Sequence, residues 1–232
     1  MKLLANDAVA HTRIKFCGMT RMDDVRLAGE LGADAIGLIF AARSLRCVSI
    51  GQALELRDAA APTTSAVALV MDNRIDEVER IVGALRPDIL QFHGGEDDAF
   101  CARFGIPFLK ALPMREVATD AIPSLLARYP SASGFVFDGH APGAMGGSGE
   151  RFDWSRLSQQ HLARPWLLAG GLDATNVGAA IRIARPWGVD VSSGVESAPG
   201  TKNAVKMRSF VDAVRRADEL QDREARETDE QR

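Results

Sequence analysis

Residues 13–20 read Arg13-Ile14-Lys15-Phe16-Cys17-Gly18-Met19-Thr20, a largely apolar strand followed at once by a glycine turn and the start of a helix. The same order of short apolar strand, turn and helical spacing recurs about eight times along the chain. Strands that are apolar on both faces are typical of a buried parallel sheet, and each intervening helix returns the chain for another parallel strand. The predicted strands are 13–17, 35–40, 66–71, 89–93, 108–112, 134–138, 166–169 and 189–192. The predicted helices include 23–31, 52–60, 75–85, 99–104, 177–184 and 204–214.

Eight such units fit one closed (β/α)8 barrel, an α/β fold that forms a single domain and commonly has about 250 residues. The alternative is a doubly wound open sheet, which more often stops at about five or six strands. We expect the barrel to occupy residues 1–214. Residues 215–232 are almost entirely charged, so they are predicted to form a solvated helical extension or a frayed tail without a part in function.

The composition excludes several classes of protein. Of the 232 residues, 46% are hydrophobic and 25% charged, which is enough to bury a sizeable core. The net charge is -3 and the basic residues are spread along the chain, so neither nucleic acid nor a membrane is an expected partner. No run approaches the roughly 20 apolar residues of a membrane span, and the first residues lack the apolar stretch of a signal peptide. Three cysteines without a close-spaced pair indicate free thiols, and the chain is predicted to be cytoplasmic.

Chemically versatile side chains follow the predicted strands. The carboxyl ends of parallel strands meet on one face of such a fold, where ligands bind and reactions occur. The residues that follow the strands are Cys17-Gly18, 43–46, Asp72-Asn73-Arg74, His93-Gly94, Pro113, Asp138-Gly139, Gly170-Gly171 and Ser193-Gly194. A thiol, carboxylates, cations and glycines are therefore expected to collect at one end of the barrel.

Two turns of small residues, 169–172 and 192–195, follow the seventh and eighth strands. Such turns expose backbone N–H groups, and these two loops are where barrels commonly bind phosphate. The alternative is that the glycines only permit tight turns, and either loop taken alone leaves both interpretations open. The occurrence of both turns in the expected places favours a phosphate site.

A long glycine-rich connection, residues 138–154, follows the sixth strand. Such a segment is typical of a lid over a site, although a disordered surface loop has the same composition. Asp138 begins the segment at a fixed position, because it directly follows a run of apolar strand residues. A carboxyl group that is partly desolvated there is expected to have a raised pKa and to act as a general acid.

Cys17 ends the first strand, where a thiol is placed for chemistry rather than for packing. A free thiol has a pKa of about 8.5. Phosphate-binding dipoles together with Lys15 and Arg46 are expected to favour the thiolate as a base or a nucleophile. The alternative is a small buried hydrophobic residue, which is the commonest role of a free cysteine. Cys47 and Cys101 lack the strand-end position and are assigned to this inert class.

Six parts of the chain, taken in order, resemble one known family. They are Lys15-Phe16-Cys17-Gly18-Met19-Thr20, 40–49, Gln91-Phe92-His93-Gly94, Gly146-Gly147-Ser148-Gly149 with Phe152-Asp153-Trp154, Leu168-Ala169-Gly170-Gly171-Leu172 with Asn176-Val177, and 188–196. They closely resemble phosphoribosylanthranilate isomerase of tryptophan biosynthesis. The resemblance implies an Amadori rearrangement of N-(5-phosphoribosyl)anthranilate, an aminoaldose, to the aminoketose 1-(2-carboxyphenylamino)-1-deoxyribulose 5-phosphate. It implies neither a metal nor an organic cofactor.

The same resemblance implies roles for individual residues. Asp138 would protonate the furanose ring oxygen and open the sugar to a Schiff base, after which Cys17 would remove the proton from C2. Arg46 would bind the anthranilate carboxylate through its paired donors, and His93 would contact the substrate. Backbone groups would bind the phosphate at Gly170, Gly171, Ser193 and Gly194. The expected partner is thus a small phosphorylated substrate, and the sequence leaves the chain a monomer or a homodimer.

The sequence departs from the family pattern in three places. The second loop reads Ser44-Leu45-Arg46 where the family usually has Ser-Pro-Arg, so a rigid proline turn is missing and Arg46 is expected to be less preorganised. Ala174 stands near the position where a proline commonly begins the seventh helix, and residues 199–203 depart from a Pro-Gly-x-Lys-Asp run at Asn203. None of these changes removes a proposed catalytic group.

Two other kinds of function are weighed against this isomerase. The first is another sugar-phosphate barrel, such as a ring-forming synthase of the same pathway or an epimerase. A metal-dependent epimerase would require several His and Asp ligands at strand ends, and His93 alone among the four histidines is placed there. The second is a catalytically silent phosphate-binding barrel. The presence of both Cys17 and Asp138 argues against it, since a binding protein requires neither.

Overall fold

The computed structural model describes residues 3–4, 11–115, 117–139, 152–158 and 162–230. Eight parallel strands pair in sequence order, and the eighth pairs with the first to close a barrel. They are β1 Arg13–Cys17, β2 Ala35–Ile39, β3 Ser65–Val70, β4 Ile89–Phe92, β5 Phe108–Pro113, β6 Gly134–Asp138, β7 Trp166–Leu168 and β8 Gly188–Val191. The helices are α1 Met22–Glu30, α2 Ile50–Asp58, α3 Ile75–Leu85, α4 Asp98–Ala102, α5 Ile122–Ala127, α6 Ser155–Ser158, α7 Val177–Ala184 and α8 Ala204–Glu230. The predicted (β/α)8 barrel is confirmed, and the open sheet is excluded.

The element boundaries follow the sequence pattern closely. β1, β6, α3 and α7 have the predicted bounds, and every other strand end lies within one residue of its prediction. Two short helices, α5 and α6, were not predicted, because neither is long enough to show a helical period of apolar residues. A small antiparallel pair, β9 Glu196–Ala198 and β10 Thr201–Lys202, follows β8. In the described part of the chain, no helix is long and apolar enough to span a membrane.

Helix α8 continues without a break past residue 214, where the charged composition begins. Its next turn still packs on the barrel through the buried residues Ala217 and Asp218. The Asp218 carboxylate accepts a hydrogen bond from the backbone N–H of Thr12 at 3.1 Å, next to the start of β1. The described part of the predicted extension is therefore helical, and its first turn holds the amino-terminal end of the barrel.

Alternate side chains of each strand point into the barrel or outward to the helices. On β1, Ile14 and Phe16 belong to the large core between strands and helices, so Lys15 and Cys17 point into the barrel. Apolar side chains fill the lower interior, among them Ala35, Val67, Ile89, Leu109 and Val136. Cys17 belongs to the uppermost interior cluster, together with Ile39, Ala41 and Leu69. The thiol therefore lies at the floor of the barrel mouth.

Candidate active site

A cavity opens at the carboxyl ends of the barrel strands. It encloses about 700 Å³, part of which is open to solvent. All eight site residues that the sequence selects line this cavity, namely Cys17, Arg46, His93, Asp138, Gly170, Gly171, Ser193 and Gly194. Closure of the barrel therefore brings together residues from the carboxyl ends of two strands and from the loops that follow four others.

Cys17 and Asp138 are the last residues of β1 and β6, and each is only 6% exposed. The residues before them, Phe16 and Phe137, pack outward in the core between strands and helices. Strand alternation therefore turns both terminal side chains into the barrel. β6 lies three places from β1 around the ring of strands. The thiol and the carboxyl group thus reach one cavity from different parts of its wall.

The environment of Cys17 in the free protein favours the neutral thiol over the thiolate. Burial raises its pKa above the ordinary value, and the adjacent Lys15 ammonium opposes this effect only in part. Lys15 is paired with Asp190 and Arg46 with Glu196, so each of these cations is already balanced by a carboxylate. The expectation that Lys15 and Arg46 hold Cys17 as a thiolate is therefore wrong for the protein without substrate.

Lys15 and Asp190 form an ion pair inside the barrel, next to Cys17. The distance from Nζ to Oδ2 is 2.8 Å, and the two side chains are 0% and 6% exposed. Burial acts to lower the pKa of Lys15, but the Asp190 carboxylate and the Cys17 thiol outweigh it and raise that pKa. Lys15 is therefore a permanent cation. Removing one partner of such a pair leaves a buried charge uncompensated, which typically costs about 3–5 kcal/mol.

Glu196 holds the Arg46 guanidinium by two hydrogen bonds. Arg46 Nε donates to Oε1 at 2.8 Å and Nη2 donates to Oε2 at 2.7 Å. Burial acts to raise the pKa of Glu196, but these bonds and the Lys202 ammonium outweigh it and lower that pKa. Two parallel bonds fix the plane of a guanidinium as well as its position. Glu196 therefore fixes Arg46 although Leu45 stands where the family usually has proline, and the expectation that Arg46 is less preorganised than in the family stays a prediction.

Lys202 extends this network to the neighbouring strand ends. Its Nζ donates to the backbone carbonyls of Cys17 at 2.6 Å and Ser192 at 3.2 Å, and to Glu196 Oε1 at 2.8 Å. Through Glu196 it also reaches Arg46 in the loop after β2. One buried lysine therefore ties the loops after β1, β2 and β8 together around the cavity.

His93 follows β4 and lies between Gln91 and Asp138. Its Nδ1 is 3.3 Å from Gln91 Nε2, and its Nε2 is 3.8 Å from Asp138 Oδ2. The loop is fixed by Glu96, which accepts a hydrogen bond from the backbone N–H of Gly94. Across the residues that the structure describes, no group of three or more His, Cys, Asp or Glu side chains is arranged to hold a metal ion. His93 Nε2 therefore lies near the Asp138 carboxyl group, at a separation longer than a hydrogen bond.

The turns after β7 and β8 lie against each other. Gly170 and Gly171 have φ angles of 89° and 63°, in the left-handed region that favours glycine. Asn176 closes this turn by donating from Nδ2 to the Gly171 carbonyl at 2.9 Å. A Cβ atom on Gly194 would lie 1.9 Å from the Leu172 carbonyl oxygen, so the second turn can approach the first only with glycine there. Both turns thus bring backbone to the cavity wall.

Three charged residues next to the selected site were missed from the sequence: Asp190, Glu196 and Lys202. Asp190 carried a usable signal, because an aspartate inside the apolar strand 189–192 must find a partner when it is buried. Glu196 and Lys202 carried no local signal. Glu196 lies 150 positions from Arg46, and only closure of the barrel brings the two together.

Several other sequence-based assignments concern residues around the cavity. Cys47 and Cys101, assigned to the inert class, do not line it. Cys47 is exposed, whereas Cys101 lies in the core, where burial raises its pKa to about 12. Residues 140–151, which make up most of the predicted lid, lie outside the described residues. The lid therefore stays a prediction.

A closed eight-stranded barrel with reactive side chains at the carboxyl ends of its strands has the layout of a TIM-barrel enzyme. Comparison with known proteins identifies the particular family. The family model described as N-(5'phosphoribosyl)anthranilate (PRA) isomerase matches residues 14–213. The chain belongs to the N-(5'-phosphoribosyl)anthranilate isomerase family.

Individual relatives agree with the family model. N-(5'-phosphoribosyl)anthranilate isomerase of Xanthomonas euvesicatoria pv. vesicatoria is 55% identical over 217 residues, which cover 92% of this chain and 97% of the relative. The crystal structure of phosphoribosyl anthranilate isomerase from Thermotoga maritima has a TM-score of 0.78 at 30% identity, covering 88% of this chain and 98% of that one. A further isomerase structure, in complex with reduced 1-(o-carboxyphenylamino)-1-deoxyribulose 5-phosphate, has a TM-score of 0.74 at 27% identity, with 88% and 98% covered.

The chain is therefore an aldose–ketose isomerase of tryptophan biosynthesis that acts on N-(5'-phosphoribosyl)anthranilate. The function implied by the sequence resemblance is confirmed. The two alternatives, a silent phosphate-binding barrel and another sugar-phosphate enzyme, are set aside. The match covers 92% of this chain and 97% of each of two relatives, and both relatives are named for this isomerase activity.

Proposed function

We propose that Asp138 and Cys17 perform the first two proton transfers of this isomerisation, Asp138 as general acid and Cys17 as general base. The observation that carries the proposal is that the terminal side chains of β1 and β6 line one buried cavity. Acid and base catalysis of this kind requires a donor and an acceptor within reach of different atoms of one substrate. No other thiol lines the cavity, and these two proton transfers take place at different atoms.

Asp138 acts first. Its carboxyl group donates a proton to the furanose ring oxygen, and the anthranilate nitrogen supplies the electron pair that breaks the bond between C1 and that oxygen. The products of this step are a C4 hydroxyl, a protonated Schiff base at C1 and an Asp138 carboxylate. The neighbouring His93, 3.8 Å from Asp138 Oδ2, is available to stabilise that carboxylate.

The Cys17 thiol then releases its own proton to solvent, and the resulting thiolate removes the proton from C2. The electron pair of the C2–H bond moves toward the positively charged Schiff base, which becomes neutral as an enolamine. Protonation of C1 and loss of the C2 hydroxyl proton then give the ketone. The cationic Schiff base both acidifies the C2–H bond and attracts a negative charge on Cys17, so it favours the thiolate that burial disfavours in the free protein.

Arg46 binds the anthranilate carboxylate in this proposal. Its Nε and Nη2 atoms are engaged by Glu196, so the substrate carboxylate is bound through the side of the guanidinium that carries Nη1. A cation held in a fixed plane loses little freedom when the substrate binds. Glu196 is thus a positioning residue for Arg46.

Arg46→Ala is expected to raise the KM for phosphoribosylanthranilate by about 10- to 100-fold, because charged hydrogen bonds to the carboxylate are lost. Glu196→Gln, which keeps the side-chain shape but removes the charge that orients Arg46, is expected to give a smaller increase in KM. Steady-state kinetics measures both effects. Arg43→Ala is the matched control, since Arg43 is exposed in the same loop and does not line the cavity. An unchanged KM in Arg46→Ala would remove Arg46 from the carboxylate site.

The substrate phosphate is bound by the two turns after β7 and β8, at Gly170, Gly171, Ser193 and Gly194. The close approach of the turns supports this placement, because it concentrates backbone from both at one point of the cavity wall. Backbone N–H groups in such turns form favourable anion sites. This assignment puts the phosphate near the β7–β8 side of the mouth and leaves Arg46 for the other end of the substrate.

Gly194→Ala is expected to separate the two turns, because the added Cβ atom meets the Leu172 carbonyl oxygen at 1.9 Å. We expect a loss of about 1–3 kcal/mol in the free energy of unfolding and weaker competitive inhibition by inorganic phosphate. Chemical denaturation and inhibition kinetics measure the two effects. Gly83→Ala is the matched control, since its Cβ would meet no atom within 4 Å, and it is expected to leave both quantities unchanged or to stabilise α3 slightly. Normal phosphate inhibition of Gly194→Ala would contradict the phosphate assignment.

The wider biological setting is part of the same proposal. We place the enzyme in the cytoplasm, supported by its three unpaired cysteines. Its partner is the small phosphorylated substrate, with no nucleic acid or membrane, and the chain acts as a monomer or a homodimer. A Thermotoga maritima relative is described as dimeric, with monomers also generated from it.

The activity is tested with the purified protein. It is expected to convert fluorescent phosphoribosylanthranilate without added metal and in the presence of a chelator. It is also expected to restore growth of a tryptophan auxotroph that lacks this isomerase. Full activity that survives in either Cys17→Ala or Asp138→Ala would overturn the assigned role of that residue.

A further inference from the structure

Asp190 has one carboxylate oxygen that the ion pair inside the barrel does not use. Its Oδ2 accepts from Lys15 Nζ at 2.8 Å, whereas its Oδ1 is buried and has no hydrogen-bond partner among the described residues. The residue is 7% exposed and lines the same cavity as Cys17 and Asp138. The unpaired oxygen therefore belongs to the wall of the active-site cavity.

A buried carboxylate oxygen without a donor is unfavourable, and nearly all such atoms in folded proteins are hydrogen-bonded. Carboxylate oxygens accept hydrogen bonds and do not donate them, so the missing partner is a donor. The substrate's hydrogen-bond donors are the sugar hydroxyls and the anthranilate N–H, and the N–H lies beside the ortho carboxylate of its own ring, which accepts from it. The donors left for the protein are therefore the sugar hydroxyls, since the carboxylate and phosphate oxygens are acceptors. Asp190 Oδ1 is thus suited to accept a hydrogen bond from a sugar hydroxyl, and not to contact the carboxylate or the phosphate at the two ends of the substrate.

The position of Asp190 along the sugar follows from its neighbours. Lys15 Nζ donates to Asp190 Oδ2 at 2.8 Å and also lies close to Cys17, since a Cβ atom on Gly37 would be 3.2 Å from Lys15 Nζ and 2.8 Å from Cys17 Sγ. One ammonium is therefore adjacent to both the Asp190 carboxylate and the Cys17 thiol. Because Cys17 is assigned to the C2 proton, the hydroxyls within reach of Asp190 are those on C2 and on the adjacent C3. We propose that Asp190 Oδ1 accepts a hydrogen bond from one of these hydroxyls, which makes Asp190 a substrate-binding residue that selects for the hydroxylated sugar.

This inference rests on the proposed function, and it differs from a purely structural role. If Asp190 served only to balance the charge of Lys15, its substitution would weaken binding of every ligand by the same factor. If Asp190 accepts a bond from the sugar, its substitution removes the preference for one hydroxyl. The two roles are therefore distinguished by how strongly the affinity for a ligand depends on one hydroxyl group, and not by the affinity for a single ligand.

The experiment measures binding of reduced 1-(o-carboxyphenylamino)-1-deoxyribulose 5-phosphate and of its 2-deoxy, 3-deoxy and 4-deoxy counterparts by calorimetry. The proteins are the wild type and Asp190→Asn. In the wild type, removal of the C2 or the C3 hydroxyl is expected to weaken binding by about 10- to 100-fold, the usual effect of a lost hydrogen bond to a charged group. In Asp190→Asn, removal of the same hydroxyl is expected to weaken binding by less than about a third of the factor found for the wild type. The 4-deoxy compound is the ligand control, and its affinity relative to the parent compound is expected to be the same in both proteins.

Equal losses in the two proteins for all three deoxy compounds would overturn the inference. If Asp190→Asn does not fold, the wild type alone decides, because equal binding of the parent, 2-deoxy and 3-deoxy compounds excludes a hydroxyl acceptor at this position. Failure of the proposed function is distinguishable, since it would appear as full activity retained in Cys17→Ala or Asp138→Ala, whatever the deoxy compounds show.

Discussion

Asp138→Asn is expected to lower kcat by about 10²- to 10⁴-fold, the usual contribution of a positioned general acid. The amide has nearly the shape of the carboxyl group but holds no proton that it can transfer to the ring oxygen. The substrate would therefore bind and remain closed. Steady-state kinetics with phosphoribosylanthranilate measures kcat, and calorimetry with the reduced product analogue measures binding, which is expected to change by less than about tenfold.

The matched control for this change is Asp212→Asn. Asp212 is an exposed residue of α8, so the same loss of one charge takes place far from the cavity, and kcat is expected to be unchanged. A kcat in Asp138→Asn within a few-fold of the wild type would show that another group opens the ring. A loss of analogue binding as large as the loss of kcat would instead make Asp138 a substrate-binding residue.

The eight strands could be predicted because they are buried on both faces. On β3, Ala68 and Val70 face the helices while Val67 and Leu69 face the barrel interior, so the sequence of this strand is a continuous apolar run instead of an alternating one. The long helices α3 and α7 could be predicted from their period. Helices α5 and α6 could not be predicted, because they span only six and four residues and are too short to show a helical period.

The location of the site could also be predicted, because every parallel strand of a closed barrel ends on the same side. That rule alone brings Cys17, Asp138 and the glycine turns to one cavity. Which groups pair within the cavity could not be predicted. Arg46 and Glu196 are 150 positions apart, and Lys15 and Asp190 are 175 apart, so neither pairing leaves a trace in local spacing.

These long-range pairs bear on two expectations about the site. A proline turn is only one way to fix an arginine, and here the Glu196 carboxylate fixes Arg46 in spite of the leucine at position 45. A nearby lysine favours a thiolate only when its charge is not already balanced. Because Asp190 balances Lys15, the desolvation of Cys17 outweighs the attraction and the pKa of the thiol rises. The charge state of Cys17 therefore depends on whether the neighbouring Lys15 is already paired with a carboxylate.

Cys17→Ser and Cys17→Ala are each expected to lower kcat by about 10²- to 10⁴-fold, because neither side chain can act as a base toward C2. Serine keeps the approximate size of cysteine, but its hydroxyl ionises far less readily than a thiol. In the wild type, replacing the C2 hydrogen by deuterium is expected to slow the chemical step in single-turnover experiments. Cys47→Ser is the matched control, since Cys47 is exposed and does not line the cavity, and its kcat is expected to be unchanged.

The raised pKa of Cys17 adds a second, independent measurement to this prediction. A group with a raised pKa keeps its proton to higher pH, so the ultraviolet absorbance of the Cys17 thiolate is expected to appear only above the ordinary thiol range of about pH 8.5. The difference spectrum between wild type and Cys17→Ser isolates this titration. Thiolate absorbance already present at neutral pH would contradict the neutral resting thiol. If the thiol is neutral and the deuterium effect is present, the base forms only when the cationic Schiff base lies beside it, and ring opening by Asp138 must then precede proton removal by Cys17.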